Sequence, residues 1–157
     1  MTEDEKRVAC LVRDAFRDVA LGEGVGLLQG QGLDDYADFR TLENYRLRDE
    51  KFDWAKISSE DLNRCHSSLS FFDAEGMRFH LPAYLIADLE GDLNHDMIFH
   101  LAWSEQGALD RFGMLSDSQR NAVREFLLLR LSNPNCEFER PMIEKALREY
   151  WKESEKS

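Results

Sequence analysis

Apolar residues return every three or four positions through most of this chain and almost nowhere alternate in twos. That spacing gathers them on one face of an α-helix, whereas a half-buried strand needs period two. The pattern is plainest after Pro141, where Ile143, Ala146, Leu147, Tyr150 and Trp151 fall in helical register. Ala122, Val123, Phe126, Leu127 and Leu131 repeat it upstream, and Val8, Leu11, Val12, Ala15, Phe16 and Val19 repeat it near the N-terminus. Two of these runs open on capping boxes, Thr2-x-x-Glu5 and Ser116-x-x-Gln119, which satisfy the free N–H groups of a helix start.

Between these runs the spacing predicts shorter helices. Phe39, Leu42 and Tyr45 mark one from Asp38 to Arg48; Leu62, Cys65, His66 and Leu69 follow an N-cap at Ser58 or Ser59. Asp73–Gly76 reads as a turn and "MRFHL" as a short extended segment. Pro82 suits the first position of a helix over Leu85, Ile86 and Leu89, with Gly91 at its end. "HDMIFHLAW" fits helix or strand equally well, and "SEQGALDRFGM" reads as a loop. The expectation is a mainly α, compact single-domain bundle of about six helices, with room for a short β-hairpin near residues 70–80. Residues 1–152 form the domain and 153–157 a frayed tail.

Composition narrows the function. The 157 residues carry 31 acids against 20 Lys and Arg, a net charge of −11. Such a chain repels phosphate backbones and anionic membrane surfaces, so neither nucleic acid nor membrane is an expected partner, and a basic protein is. Cys10, Cys65 and Cys136 lie far apart without metal or disulfide spacing, which fits a reducing, cytoplasmic setting. The N-terminus lacks a signal-peptide apolar core, and no apolar run reaches membrane-spanning length.

Several stretches resemble an uncharacterised bacterial domain-of-unknown-function family. They are "FDWAKISSEDL", "SLSFFDAEGMRFHLPAYLIADL" and "FGMLSDSQRNAVREFLLL". The shared pattern falls on Trp54 and Ile57; Leu69, Ser70 and Phe71; Gly76; Phe79; Leu81 to Leu85; and Leu115 to Gln119. Met77 and His80 depart from it, standing where bulkier aromatics are expected. The resemblance implies a compact, mostly helical cytosolic bacterial protein, and no activity or cofactor.

Five glycines in eleven residues, Gly22 to Gly32, suggest a phosphate loop. Leu27, Gln29 and Asp35 stand where G-x-G-x-x-G needs its third glycine, and no Gly-Lys-Ser/Thr follows, so a flexible connection into a helix near Leu33–Tyr36 is the better reading. "DLEGDLNHD" starts like a calcium loop but places Leu93 at position six and Phe99 at position twelve, where glycine and glutamate are required. Asp92, His95, Asp96 and His100 are weak candidates for a metal-dependent enzyme, because the two histidines fall on different helix faces. Cys65 and His66 point about 100° apart on a helix and make no nucleophile–base pair; Cys65 reads as a small buried hydrophobe.

One asymmetry survives. From Phe79 to Asp110 the chain has six acids (Asp88, Glu90, Asp92, Asp96, Glu105 and Asp110) and no Lys or Arg. Tyr84, Phe99 and Trp103 sit beside them. Asp88, Glu90, Asp92, Asp96 and Trp103 are therefore the candidate partner-binding residues of an acidic protein-binding module, in the manner of immunity proteins that cover a basic toxin. The alternatives are the metal-dependent enzyme and a homo-oligomeric structural protein joined through Tyr150 and Trp151.

Overall fold

Helix starts are set by side chains that take up the unpaired N–H groups of the first turn. Thr2 Oγ1 accepts from Glu5 N at 3.1 Å while Glu5 accepts from Thr2 N at 2.9 Å, opening α1 (Glu3–Ala15). Ser116 and Gln119 do the same for α7 (Asp117–Leu131). Asp38 caps α3 (Phe39–Arg48), Ser58 caps α4 (Ser59–Arg64) and Asp96 caps α6 (Met97–Ala102). With α2 (Leu27–Asp34), α5 (Ala74–Leu89) and α8 (Arg140–Glu149), these helices and four short 3-10 turns carry the fold. The computed structural model describes residues 1–103 and 109–153, and among these no strand occurs.

The bundle is built around α5. Eleven of its sixteen residues are buried, including Met77, Phe79, His80, Leu81, Tyr84 and Leu85. A helix buried on all sides shows no amphipathic stripe, which is why the sequence did not reveal its first half. The expected extended segment is absent, and no hairpin occupies residues 70–80: "MRFHL" is helical, and Pro82 lies inside α5 rather than at its start. Asp73 explains the earlier start, since its Oδ1 accepts from Gly76 N at 2.8 Å and from Val25 N at 3.0 Å. An interior proline costs about 3 kcal/mol. Burial of side chains such as Phe79, Leu81 and Leu85, about 2 kcal/mol each, offsets it.

Around this axis α1 packs on α5 and α7, α4 and α6 pack on α5, and α8 packs on α6 and α7. The end of α8 is pinned inward: Trp151 is buried, its Nε1 donating to Leu101 O at 2.7 Å, and Tyr150 Oη donates to Leu109 O at 2.9 Å. Tyr150 and Trp151 are thus framework, which corrects their reading as a subunit seam. The helical hairpin α2–α3 stands apart. α2 packs on the Ser68–Ser70 turn, and α3 packs chiefly on α2, with none of its own residues buried.

The glycine run builds this attachment. A Cβ on Gly24 would sit 2.5 Å from Gly76 N, so two backbones cross there with no room for a side chain. Asp49, itself buried, accepts from Leu28 N at 2.7 Å and from Gln29 N at 3.2 Å at the start of α2. Ser68 Oγ donates to Leu27 O at 2.6 Å. The expected flexible connection is a helix, α2, that begins at Leu27 because those partners come from residues distant in sequence.

Candidate partner-binding surface

The acidic segment begins where α5 ends. Gly91 adopts φ +81° just past the C-cap, Gly91 N bonds Asp88 O at 3.0 Å, and Asp92 N bonds Ala87 O at 3.0 Å. These two bonds stop the helix and turn the chain outward. Asn63 of α4 then fastens the loop, donating to Asp92 O at 2.9 Å and accepting from Asn94 N at 2.8 Å. The loop is therefore a held corner, and α6 follows it at once.

The candidate residues fall into three environments. Asp88 is turned inward, 3.4 Å from Arg130, whose guanidinium also reaches Glu5 at 3.7 Å. Burial raises the Asp88 carboxyl above its ordinary range, against the pull of Arg130. It ties α5 to α7 and α1, and its charge is spent inside the bundle. Asp96 is exposed but serves α6, accepting from Phe99 N at 3.0 Å. Glu90 and Asp92 are exposed and free of ion pairs among the described residues. Glu90 also stands on the rim of a cleft of about 410 Å³ that Arg13, Trp54 and Ile86 help to line.

The aromatic neighbours divide too. Tyr84 is buried and takes no part in the surface. Phe99 and Trp103, at i and i+4 across α6, are 43% and 40% exposed, with ring centroids 5.1 Å apart. They form an apolar shelf on α6, the helix that Asp96 caps, and Glu90 and Asp92 precede it in the chain. Glu105 lies outside the described residues, and Asp110 is exposed in the turn before α7.

The four metal candidates do not assemble. His95 Nε2 lies 3.1 Å from Leu62 O and its ring packs edge-on against Tyr84 at 5.6 Å. His100 is packed against Arg111, whose Nη2 lies 3.3 Å from His100 Nδ1 and donates to His100 O at 3.3 Å. Burial, and then the nearby guanidinium, push the His100 imidazole down to about 4. Asp96 is occupied by its cap. No group of three His, Cys, Asp or Glu side chains able to hold a metal ion occurs among the described residues. Cys65 is buried, and burial raises its thiol to about 11, the condition of an unreactive core residue.

Sequence reasoning missed two features. His80 is fully buried, stacked on Phe72 at 4.2 Å, with Nδ1 2.7 Å from Gly76 O; its Nε2 and the nearby Tyr84 Oη have no hydrogen-bond partner. Its flat ring lies against Phe72 on one side and meets Phe79 edge-on at 5.0 Å. The second is the outer face of α3 and the turn before it. Tyr36, Phe39 and Leu47 are 95%, 75% and 77% exposed there. The signal was present as helical spacing, which does not say which face is covered.

A family model matches residues 4–155, nearly the whole chain, and its description is Family of unknown function (DUF6714). No curated protein and no solved structure matches the chain.

Proposed function

Because the chain belongs to the family of unknown function DUF6714, whose description carries no activity, we propose a role from its surface: an acidic protein-binding module. Its docking site is the corner between α5 and α6. Glu90, Asp92 and Asp96 steer a basic partner, and Phe99 and Trp103 anchor it. The observation that carries this reading is the half-exposed Phe99–Trp103 pair beside exposed carboxylates, in a segment without Lys or Arg.

The physics of such a corner is a division of labour. Rim carboxylates speed encounter and reject acidic surfaces, while desolvated aromatics supply most of the holding energy. A Lys or Arg of the partner laid over the Trp103 ring adds about 0.5–2 kcal/mol as its water is removed. An inhibitor that covers a basic, nucleic-acid-cleaving toxin is the concrete version of this module, by analogy of charge and size with bacterial immunity proteins.

The test uses Trp103 as its own reporter, since Trp54 and Trp151 are buried. A synthetic helical peptide of Lys, Arg and Leu is titrated against the protein, with a peptide in which Glu replaces every cation as control. The basic peptide shifts the tryptophan emission and the acidic one does not. Glu90→Gln with Asp92→Asn weakens binding roughly tenfold, a change of about 1.4 kcal/mol, and Trp103→Ala removes the signal. Equal binding of both peptides, or an unaffected double variant, removes the proposal.

A further inference from the structure

The outer face of α3 is the least explained surface of the molecule. Phe39, Glu43 and Leu47 are spaced by four and run along one exposed ridge. Arg40 and Arg48 flank it, both exposed and neither in an ion pair among the described residues. Beside Leu47 a recess of about 290 Å³ opens, walled by Glu43, Arg46 and Lys51. Leu42 and Tyr45 of this helix are half-buried against Gly32 of α2, but packing does not account for Phe39 and Leu47 on its outer side.

Tyr36 adds an independent observation. α2 ends in paired bonds, Ala37 N to Gly32 O at 2.9 Å and Tyr36 N to Leu33 O at 3.3 Å, which place residue 36 in the left-handed region at φ +56°. Glycine is the favoured residue there, and a bulky side chain costs about 1 kcal/mol. A tyrosine held in that conformation and 95% exposed breaks a local rule with no return inside the fold.

We infer that this face docks the acidic corner of a second copy of the chain, so that molecules join head to tail. The inference rests on the reading of the corner as a docking site and names an occupant for it. The two surfaces are complementary in kind: α3 offers Arg40 and Arg48 beside the exposed Phe39 and Leu47, with Glu43 between these two, and the corner offers Glu90 and Asp92 in the segment that leads into the Phe99–Trp103 pair. They also lie on different parts of the bundle, α3 packing chiefly on α2 while α6 packs on α5 and α8. The indole of Trp103 enters the recess beside Leu47, with the Lys51 ammonium near its ring face. At physiological salt, screening over about 8 Å weakens the general repulsion between two acidic molecules and spares charges in direct contact. A contact between unlike faces leaves one of each free, so it propagates to a ring or an open chain.

Sedimentation against concentration tests this with two variants. The first, Arg40→Glu with Arg48→Glu, destroys the α3 face and keeps the corner. The second, Glu90→Lys with Asp92→Lys, destroys the corner and keeps α3. All four positions are exposed. The parent chain grows in size with concentration, and each variant alone stays monomeric. Their equimolar mixture forms a one-to-one dimer and stops, because only one intact pair of faces remains. Tyr36→Gly, which relieves the backbone, weakens association while raising thermal stability. A parent that stays monomeric up to about 1 mM, the weak limit of useful affinity, overturns the inference. So does self-association of the second variant alone, which would mean α3 docking on α3. If the parent is monomeric but the basic peptide still binds, the corner reading stands and only this occupant is lost; if the peptide fails as well, the corner reading fails with it.

Discussion

The glycine run from Gly22 to Gly32 and the acidic run from Asp88 to Asp96 look alike as sequence: each is a short stretch crowded with residues that ligand loops use. The fold treats them oppositely. In the glycine run the polar groups are used up internally, with Asp49 on Leu28 N and Gln29 N, Asp73 on Val25 N, and Arg46 donating to Gly22 O and Gly24 O. Its glycines admit neighbouring backbone and side chains, not a ligand. In the acidic run Asp88 is turned inward and Asp96 caps α6, while Glu90 and Asp92 face outward. The density of special residues therefore says little until their partners are known. Residues far away in sequence decide whether a polar group is part of the frame or free to act.

Breaking the crossing at Gly24 and Gly76 has the largest expected effect. A Cβ on Gly76 would sit 2.6 Å from Val25 O, so Gly76→Ala forces two backbones apart, at a cost of about 3 kcal/mol or more. Denaturant midpoints of the single variants measure it, and an unchanged midpoint would show that the crossing is slack. Next comes His80, which burial holds at about 4, against about 6.5 in an unfolded chain. Between those values the unfolded state binds a proton that the folded state does not. Stability is therefore lost as pH falls from about 6.5 toward 4, by up to about 3 kcal/mol from this group. His80→Phe, which keeps a ring against Phe72, should remove this group's share of the slope and leave the part due to His100, which burial also holds at about 4.

Asp49→Ala comes third, at about 2 kcal/mol, because it leaves two half-buried N–H groups at the start of α2 without their acceptor. Asp92→Asn is the counterpart in the other region: its effect on stability should stay within about 0.5 kcal/mol, as for an exposed side chain outside any network, while peptide binding weakens. A matching loss of stability would erase the contrast between the two runs. Opposite in sign, Tyr36→Gly should add about 1 kcal/mol, read as a rise in melting temperature.

Much of the helical content was legible because its signals are local. The caps at Thr2, Ser58 and Ser116 and the spacing of α1, α3, α7 and α8 lie within a few residues of what they specify. α5 was half hidden, since burial on every side removes the period that betrays a helix and Pro82 gives a false start. At the corner, the sequence located the acids and the aromatics correctly as neighbours along the chain. It did not separate Asp88 and Tyr84, which face inward, from Glu90, Asp92, Phe99 and Trp103, which face out.

By itself, then, the sequence determined a mainly α chain, its net charge, and most helix starts, for each rests on composition or on contacts within one helical turn. The tertiary structure decided what the special residues are for. Asp73 joins Val25 to Gly76, Asp49 joins α3's end to α2's start, and Arg130 gathers Glu5 and Asp88 from two other helices. Such pairings link positions tens of residues apart. Only the packing of helices around α5 brings them together, and with them fixes which charges and aromatics remain at the surface.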